Sequence, residues 1–180
     1  MVSEEKKPSF FATIPGILTG LAALITAITG LILLFQSSKD ESIPEDLLNI
    51  APDARITASS TLPKAPPPLA IDRDVFTSWN AGGPPVQWID LELSKPADIV
   101  RLRLIVDQLP AGDTRHVILG HTSKGNGYEV LHEFEGTTKD KGKLDHSPTV
   151  PWKNIDHLRI ETAESPSWVS WREIEIYTKH

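Results

Sequence analysis

VQWIDLEL, residues 86–93, alternates Ile89, Leu91 and Leu93 with Asp90 and Glu92. In an extended chain, successive side chains point to opposite faces. The period therefore predicts a strand with an aliphatic face for a core and a carboxylate face for solvent. The next segment, IVRLRLIV (99–106), repeats the pattern, setting Val100, Leu102, Leu104 and Val106 against Arg101, Arg103 and Ile105. RHVILGH (115–121), YEVLHEFEG (128–136), DHLRIET (156–162) and REIEIY (172–177) follow. Between them lie turn-rich pieces: LPKAPPP (62–68), NAGGPP (80–85), LPAGD (109–113) and SKGNG (123–127). Short strands with regular breaks and no helical period predict an all-β antiparallel sandwich or barrel.

Upstream the chain changes character. Residues 10–35, FFATIPGILTGLAALITAITGLILLF, contain no charge. As a helix they would run about 39 Å at roughly 1.5 Å per residue, longer than a hydrocarbon core of about 30 Å. They are expected to form a single-pass transmembrane anchor. The rival reading is a cleaved signal peptide, but its apolar region would be only about 7–15 residues long. The organisation expected is a cytoplasmic tail (1–9), the span (10–35), a polar linker (36–52) and a β-domain (53–180). Lys6 and Lys7 precede the span, whereas Lys39 is followed by Asp40 and Glu41. That bias predicts the N-terminus inside the cell membrane and the domain outside, periplasmic or extracellular. Ala12, Gly16 and Gly20, and likewise Ala22, Thr26 and Gly30, recur at four-residue spacing. Each set shares a helix face on which a homodimer could close.

Composition removes several functions. With 18 Lys and Arg against 24 Asp and Glu, the net charge is −6. Lys6 and Lys7 cancel Glu4 and Glu5, so the remainder carries all of it. An acidic domain is no nucleic-acid partner. The absence of cysteine removes disulfides, thiolate catalysis and Cys-ligated zinc. No Gly-rich phosphate loop, H-E-x-x-H or G-x-S-x-G is present, so no catalytic residue is assigned and an enzyme is not expected. His116 and His121 fall on opposite faces of a strand and do not form a joint metal site.

Three stretches in order resemble the F5/8 type C, or discoidin, domain. ITASS (56–60) looks like its opening strand. AIDRDVFTSW (70–79) resembles its A-x-D-G-x-x-x-T-x-W segment through Ala70, Asp72, Thr77 and Trp79, and VQWIDLEL follows as its next strand does. HLRIETAESPSWVSWREIEIY (157–177) resembles its terminal strand pair. Arg73 replaces the usual Gly, at a steric cost if that turn needs positive φ. The resemblance implies a galactose-binding-like jelly-roll sandwich whose function is binding. Its ligands would be a carbohydrate or another cell-surface ligand, met by the loops at one end. The alternative is a structural or assembly protein that uses the sandwich for protein–protein docking at the membrane.

The resemblance also implies sites. Leu62, Lys64, Asn80 and Arg115 are the candidate ligand-binding residues. Asp72, Asp74, Thr77 and Glu173 are candidate ligands of a structural Ca²⁺, a cation that takes oxygen donors. The rival reading is that Asp72 and Thr77 only hydrogen-bond their own turn. Trp79 and Trp88 are expected in the core, Trp168 and Trp171 over the end of the sandwich. Arg172 is expected in a surface ion pair worth little.

Overall fold

A computed structural model describes residues 43–180. Ten strands build two antiparallel sheets. They are β1 (Leu47–Asn49), β2 (Arg55–Ala58), β3 (Trp79–Asn80), β4 (Gln87–Ile99), β5 (Arg101–Val106), β6 (Gly112–His121), β7 (Glu129–Thr138), β8 (Lys143–His146), β9 (Trp152–Glu164) and β10 (Ser170–Lys179). The first sheet has the order β1-β10-β5-β8, with β3 also on β10; the second runs β2-β4-β9-β6-β7. The only helical pieces among the described residues are two 3-10 turns, Ala51–Asp53 and Pro67–Ala70.

The alternation in the sequence explains the packing. Ile89 and Leu91 of β4, Leu158 and Ile160 of β9 and Ile118 of β6 are fully buried from the second sheet. Leu102 and Leu104 of β5 and Ile174 and Ile176 of β10 meet them from the first. Each such side chain contributes about 1.5–3 kcal/mol by leaving water. Trp79 and Trp171 fill the same core at 0% and 1% exposure. A register shift between Trp171 and Glu173 lets Trp171 and Ile174 both enter the core. Such a bulge re-aims side chains, here turning Arg172 and Glu173 away from the core.

Several expectations are corrected. Residues 47–52, assigned to the linker, form β1 and most of the 3-10 turn Ala51–Asp53 of the sandwich: Asn49 pairs with Tyr177, and Ala51 is fully buried. Trp88 does not join the core. It is half-buried on the outer face of β4, where the Arg159 guanidinium sits 4.3 Å from its ring centre. The expected span (10–35) and its small-residue faces lie outside the described residues. Among the described residues no helix is long and apolar enough to cross a membrane.

Candidate functional site

The N-terminal end of β10 gathers the functional candidates. There the loops 81–86, 107–111 and 165–169 emerge together. Val169 is buried, and its N–H and C=O bond Gly83 O and Ala81 N at 3.0 and 2.9 Å. With Val169 pinned inward, its neighbour Trp168 is turned outward and stays 53% exposed. Trp168 lines a cleft of about 400 Å³ with Leu109, Pro110, Pro166, Asn80 and Asp107. Leu109 at its rim is 86% exposed.

The polar floor of this cleft is held rigidly. Asp107 Oδ2 accepts from Ser78 Oγ and Ser170 Oγ, each at 2.8 Å, and Oδ1 faces Arg172 Nη2 at 2.9 Å. Asn80 Oδ1 accepts from Gly82 N at 2.8 Å, which leaves the Asn80 amide nitrogen as a donor. A half-exposed indole beside fixed amide and carboxylate groups can stack on an apolar sugar face and hydrogen-bond its hydroxyls.

Of the residues expected to bind ligand, only Asn80 lines this cleft. Leu62 is half-buried on the adjoining loop, donating its N–H to Asn80 O at 2.8 Å, and Lys64 is exposed in the same turn. Arg115 is elsewhere, on β6, held by Glu164 at 3.0 Å and Glu133 at 3.6 Å. His116 is buried at 3% exposure; burial pushes its pKa down to about 4, so it meets no ligand. Trp168 had been expected only to cover the end of the sandwich. It stands in a Ser/Pro loop before the β10 alternation begins, and that position outside any periodic run was the available signal.

Next to the cleft lies the Asp72–Thr77 turn. Thr77 Oγ1 is 3.0 and 2.8 Å from Asp72 Oδ1 and Oδ2, 2.9 Å from Asp74 O and 3.4 Å from Leu69 O. A hydroxyl has one proton and can satisfy only one of these acceptors. Two of them also accept main-chain N–H groups, Asp72 Oδ1 from Asp74 N at 3.0 Å and Asp74 O from Thr77 N at 3.1 Å, so the turn bonds itself while its oxygens converge around the Thr77 hydroxyl. Asp74 Oδ1 accepts from Phe76 N at 2.9 Å, and it is the Asp74 main-chain carbonyl that faces Thr77. Arg73 adopts φ 66°, the left-handed turn for which Gly was the expected residue.

Glu173 is 1% exposed and neither carboxylate oxygen has a hydrogen-bond partner. Burial pushes its pKa up to about 8; the facing Arg73 main-chain N–H pulls the other way and the Asp72 charge adds to the rise. Arg172 is no loose surface charge. At 16% side-chain exposure it holds Asp107 and Asp140 (2.8 Å) and donates to Val75 O at 3.2 Å, tying the turn to the cleft floor.

A larger cleft, about 700 Å³, lies at the other end, where β1 enters and β10 leaves. Aliphatic Leu48, Ile50 and Leu93 and the cationic Lys95, Lys153 and Lys179 line it, without Trp, Tyr or Phe.

No family model and no curated protein matches the chain. Solved structures do. The family 32 carbohydrate-binding module of Clostridium perfringens NanJ, solved with galactose, superposes with a TM-score of 0.61 at 17% identity, over 73% of this chain and 98% of that one. An F5/8 type C domain from Bacteroides fragilis gives 0.61 at 16%, over 76% and 99%. Chitosan-binding module 1 of a Paenibacillus sp. IK-5 chitosanase/glucanase gives 0.60 at 23%, over 72% and 98%. These likenesses show the fold: residues 45–180 form an all-β sandwich of the kind seen in F5/8 type C domains and family 32 carbohydrate-binding modules.

Proposed function

We propose that this chain is a membrane-anchored, non-catalytic recognition module that binds carbohydrate in the cleft at the N-terminal end of β10. The observation that carries the reading is Trp168, half-exposed beside Asn80 and Asp107 in a cleft of about 400 Å³. Trp168 would stack on the sugar, and the Asn80 amide would donate to a hydroxyl. Asp107, with both oxygens committed, holds the floor. Galactose and chitosan, named for two similar structures, are the first ligand classes to test.

A structural Ca²⁺ belongs to this reading. Leu69 O, Asp72, Asp74 O, Thr77 and Glu173 would hold it, since the converging oxygens and the unpartnered buried carboxylate fit a hard cation. Among the described residues no three His, Asp or Glu side chains form a metal cluster; this set relies instead on a hydroxyl and carbonyls. When bound, the ion would favour the ionised form of Glu173 and lock the turn that Arg172 joins to the cleft. The uncharged stretch 10–35 would tether the domain to the outer face of a membrane.

A glycan array on the full chain, with calcium and with chelator, tests the proposal. The expected result is a saturable hit that Trp168→Ala abolishes and chelation weakens. Silence across the array, with a stoichiometric protein co-purifying, would replace this reading with protein–protein docking. The exposed Phe76, Val86 and Leu109 on the neighbouring loops are the observation that favours that second reading.

A further inference from the structure

Two Asp–His pairs meet on the outer face of the second sheet, away from the carbohydrate cleft and the Asp72 turn. His121 of β6 and His157 of β9 are direct cross-strand partners. Their ring centres are 5.6 Å apart and the planes cross at 88°. His121 Nδ1 lies 2.7 Å from Asp156 Oδ1. His157 Nδ1 faces Asp90 Oδ1 at 3.4 Å.

Asp90 makes the second pair informative. It sits on the carboxylate face of β4, yet it is only 5% exposed. The Tyr128 hydroxyl and Arg159 Nη2, the latter at 2.8 Å, both donate to Oδ2, while Oδ1 has no hydrogen-bond partner. A buried acceptor left unsatisfied costs about 1–3 kcal/mol. His157 Nδ1, at 3.4 Å, makes no hydrogen bond to it as it stands, but a turn of the ring would bring an Nδ1–H into donating position. That tautomer leaves Nε2 of His157 with its lone pair free, and Asp156 does the same for His121. A carboxylate behind an imidazole fixes the tautomer and raises the basicity of the far nitrogen, as it does behind metal-bound histidines.

The spacing matches as well. Two imidazoles bound to one zinc at about 2.1 Å per Zn–N bond and a tetrahedral angle have ring centres about 5.3 Å apart. The observed 5.6 Å between ring centres is compatible with that separation. We propose that His121 and His157 form a binding site for a divalent transition metal of the zinc and copper class, with Asp156 and Asp90 orienting the two rings. Imidazole nitrogen suits these ions, whereas calcium takes oxygen. The two histidines supply two ligands and leave the other positions to water or an incoming donor. An open cleft of about 360 Å³, lined by Arg55, Glu92 and Tyr128, lies beside His157 and gives that donor its path. The other histidine pair, His132 and His146, stacks face to face at 3.6 Å and 18°, so its nitrogens do not converge on one ion.

Titration of the full chain with zinc chloride alone, followed by calorimetry and by histidine ring NMR, tests this. The expected result is one saturable zinc site, with the His121 and His157 resonances shifting. His121→Ala and His157→Ala each abolish it, and Asp156→Asn weakens it about 10–100-fold. His132→Ala leaves it intact, and excess calcium does not displace the zinc. Thermal unfolding without zinc identifies a variant that fails to fold. His121→Ala, at a side chain 29% exposed, then carries the test by itself. No saturable uptake, uptake that survives His121→Ala, or displacement by calcium would overturn the proposal.

Discussion

His116 lies between the sheets with Nδ1 3.0 Å from Thr162 Oγ1, its ring edge-on to Trp171, and Nε2 unpartnered. Burial pushes its pKa from 6.5 to about 4, so the native state keeps it neutral where the unfolded chain already takes up a proton. Its stabilisation is therefore intact above pH 6.5 and is lost as pH falls from there towards 4, by about 3 kcal/mol. Denaturant melts at pH 7 and pH 4.5 should show that loss, and His116→Asn should flatten it. An equal slope in the variant would assign the acid sensitivity elsewhere. His132 and His146, also held below the usual imidazole value by burial, add loss of the same sign. At this scale the sequence was only partly legible. The alternation of VQWIDLEL already set Trp88 on the same side as Asp90 and Glu92, and only the family resemblance argued for the core. The pairing of His121 with His157 depends on the register between β6 and β9, which no local pattern encodes. The place of Trp168 outside any periodic run was the one local signal, and its outward turn is set by main-chain bonds between Val169 and the 81–83 loop.

Strands with a long apolar alternation were legible because one buried face fixes their register. β1 was not, because three residues carry no period. Its place is set by Asn49, whose Oδ1 accepts from Ala51 N and Ile176 N, each at 3.1 Å. Asn49→Ala should cost about 1–3 kcal/mol by leaving those donors unsatisfied, and a fragment beginning at Ala54 should melt well below one beginning at Glu45. Equal melting temperatures would make β1 ornamental. The start of β10 carries the second element-scale prediction. Arg172 joins the 107–111 loop, the β7–β8 turn and the Asp72 turn, and it is largely buried. Arg172→Ala leaves Asp107 Oδ1 and Asp140 without their cation, while Ser78 and Ser170 still hold Asp107 Oδ2, and should destabilise the domain by about 1–3 kcal/mol. It should also weaken glycan binding, although Arg172 is not among the residues lining the cleft. Unchanged stability would return Arg172 to the role of an ordinary surface ion pair.

Across the whole molecule, the sandwich separates its chemistries. Carbohydrate recognition is proposed at the N-terminal end of β10, and metal binding on the outer face of the second sheet. The chain enters through β1 at the opposite end. Alkaline carbonate extraction should leave the full chain in the membrane and release a fragment that begins at Glu45; release of both would remove the anchor from the account. Architecture was legible because periodicity and the order of motifs survive low identity. The ligand was not, because it is chosen by loop side chains that lack any period. The most direct test of the central claim is to map backbone and side-chain amide shifts while titrating in the strongest glycan from the array. The account predicts saturable shifts at the Trp168 indole N–H and the Asn80 side-chain amide, lost in Trp168→Ala. Shifts centred on Trp88 and Arg159, or none at any glycan concentration, would contradict it.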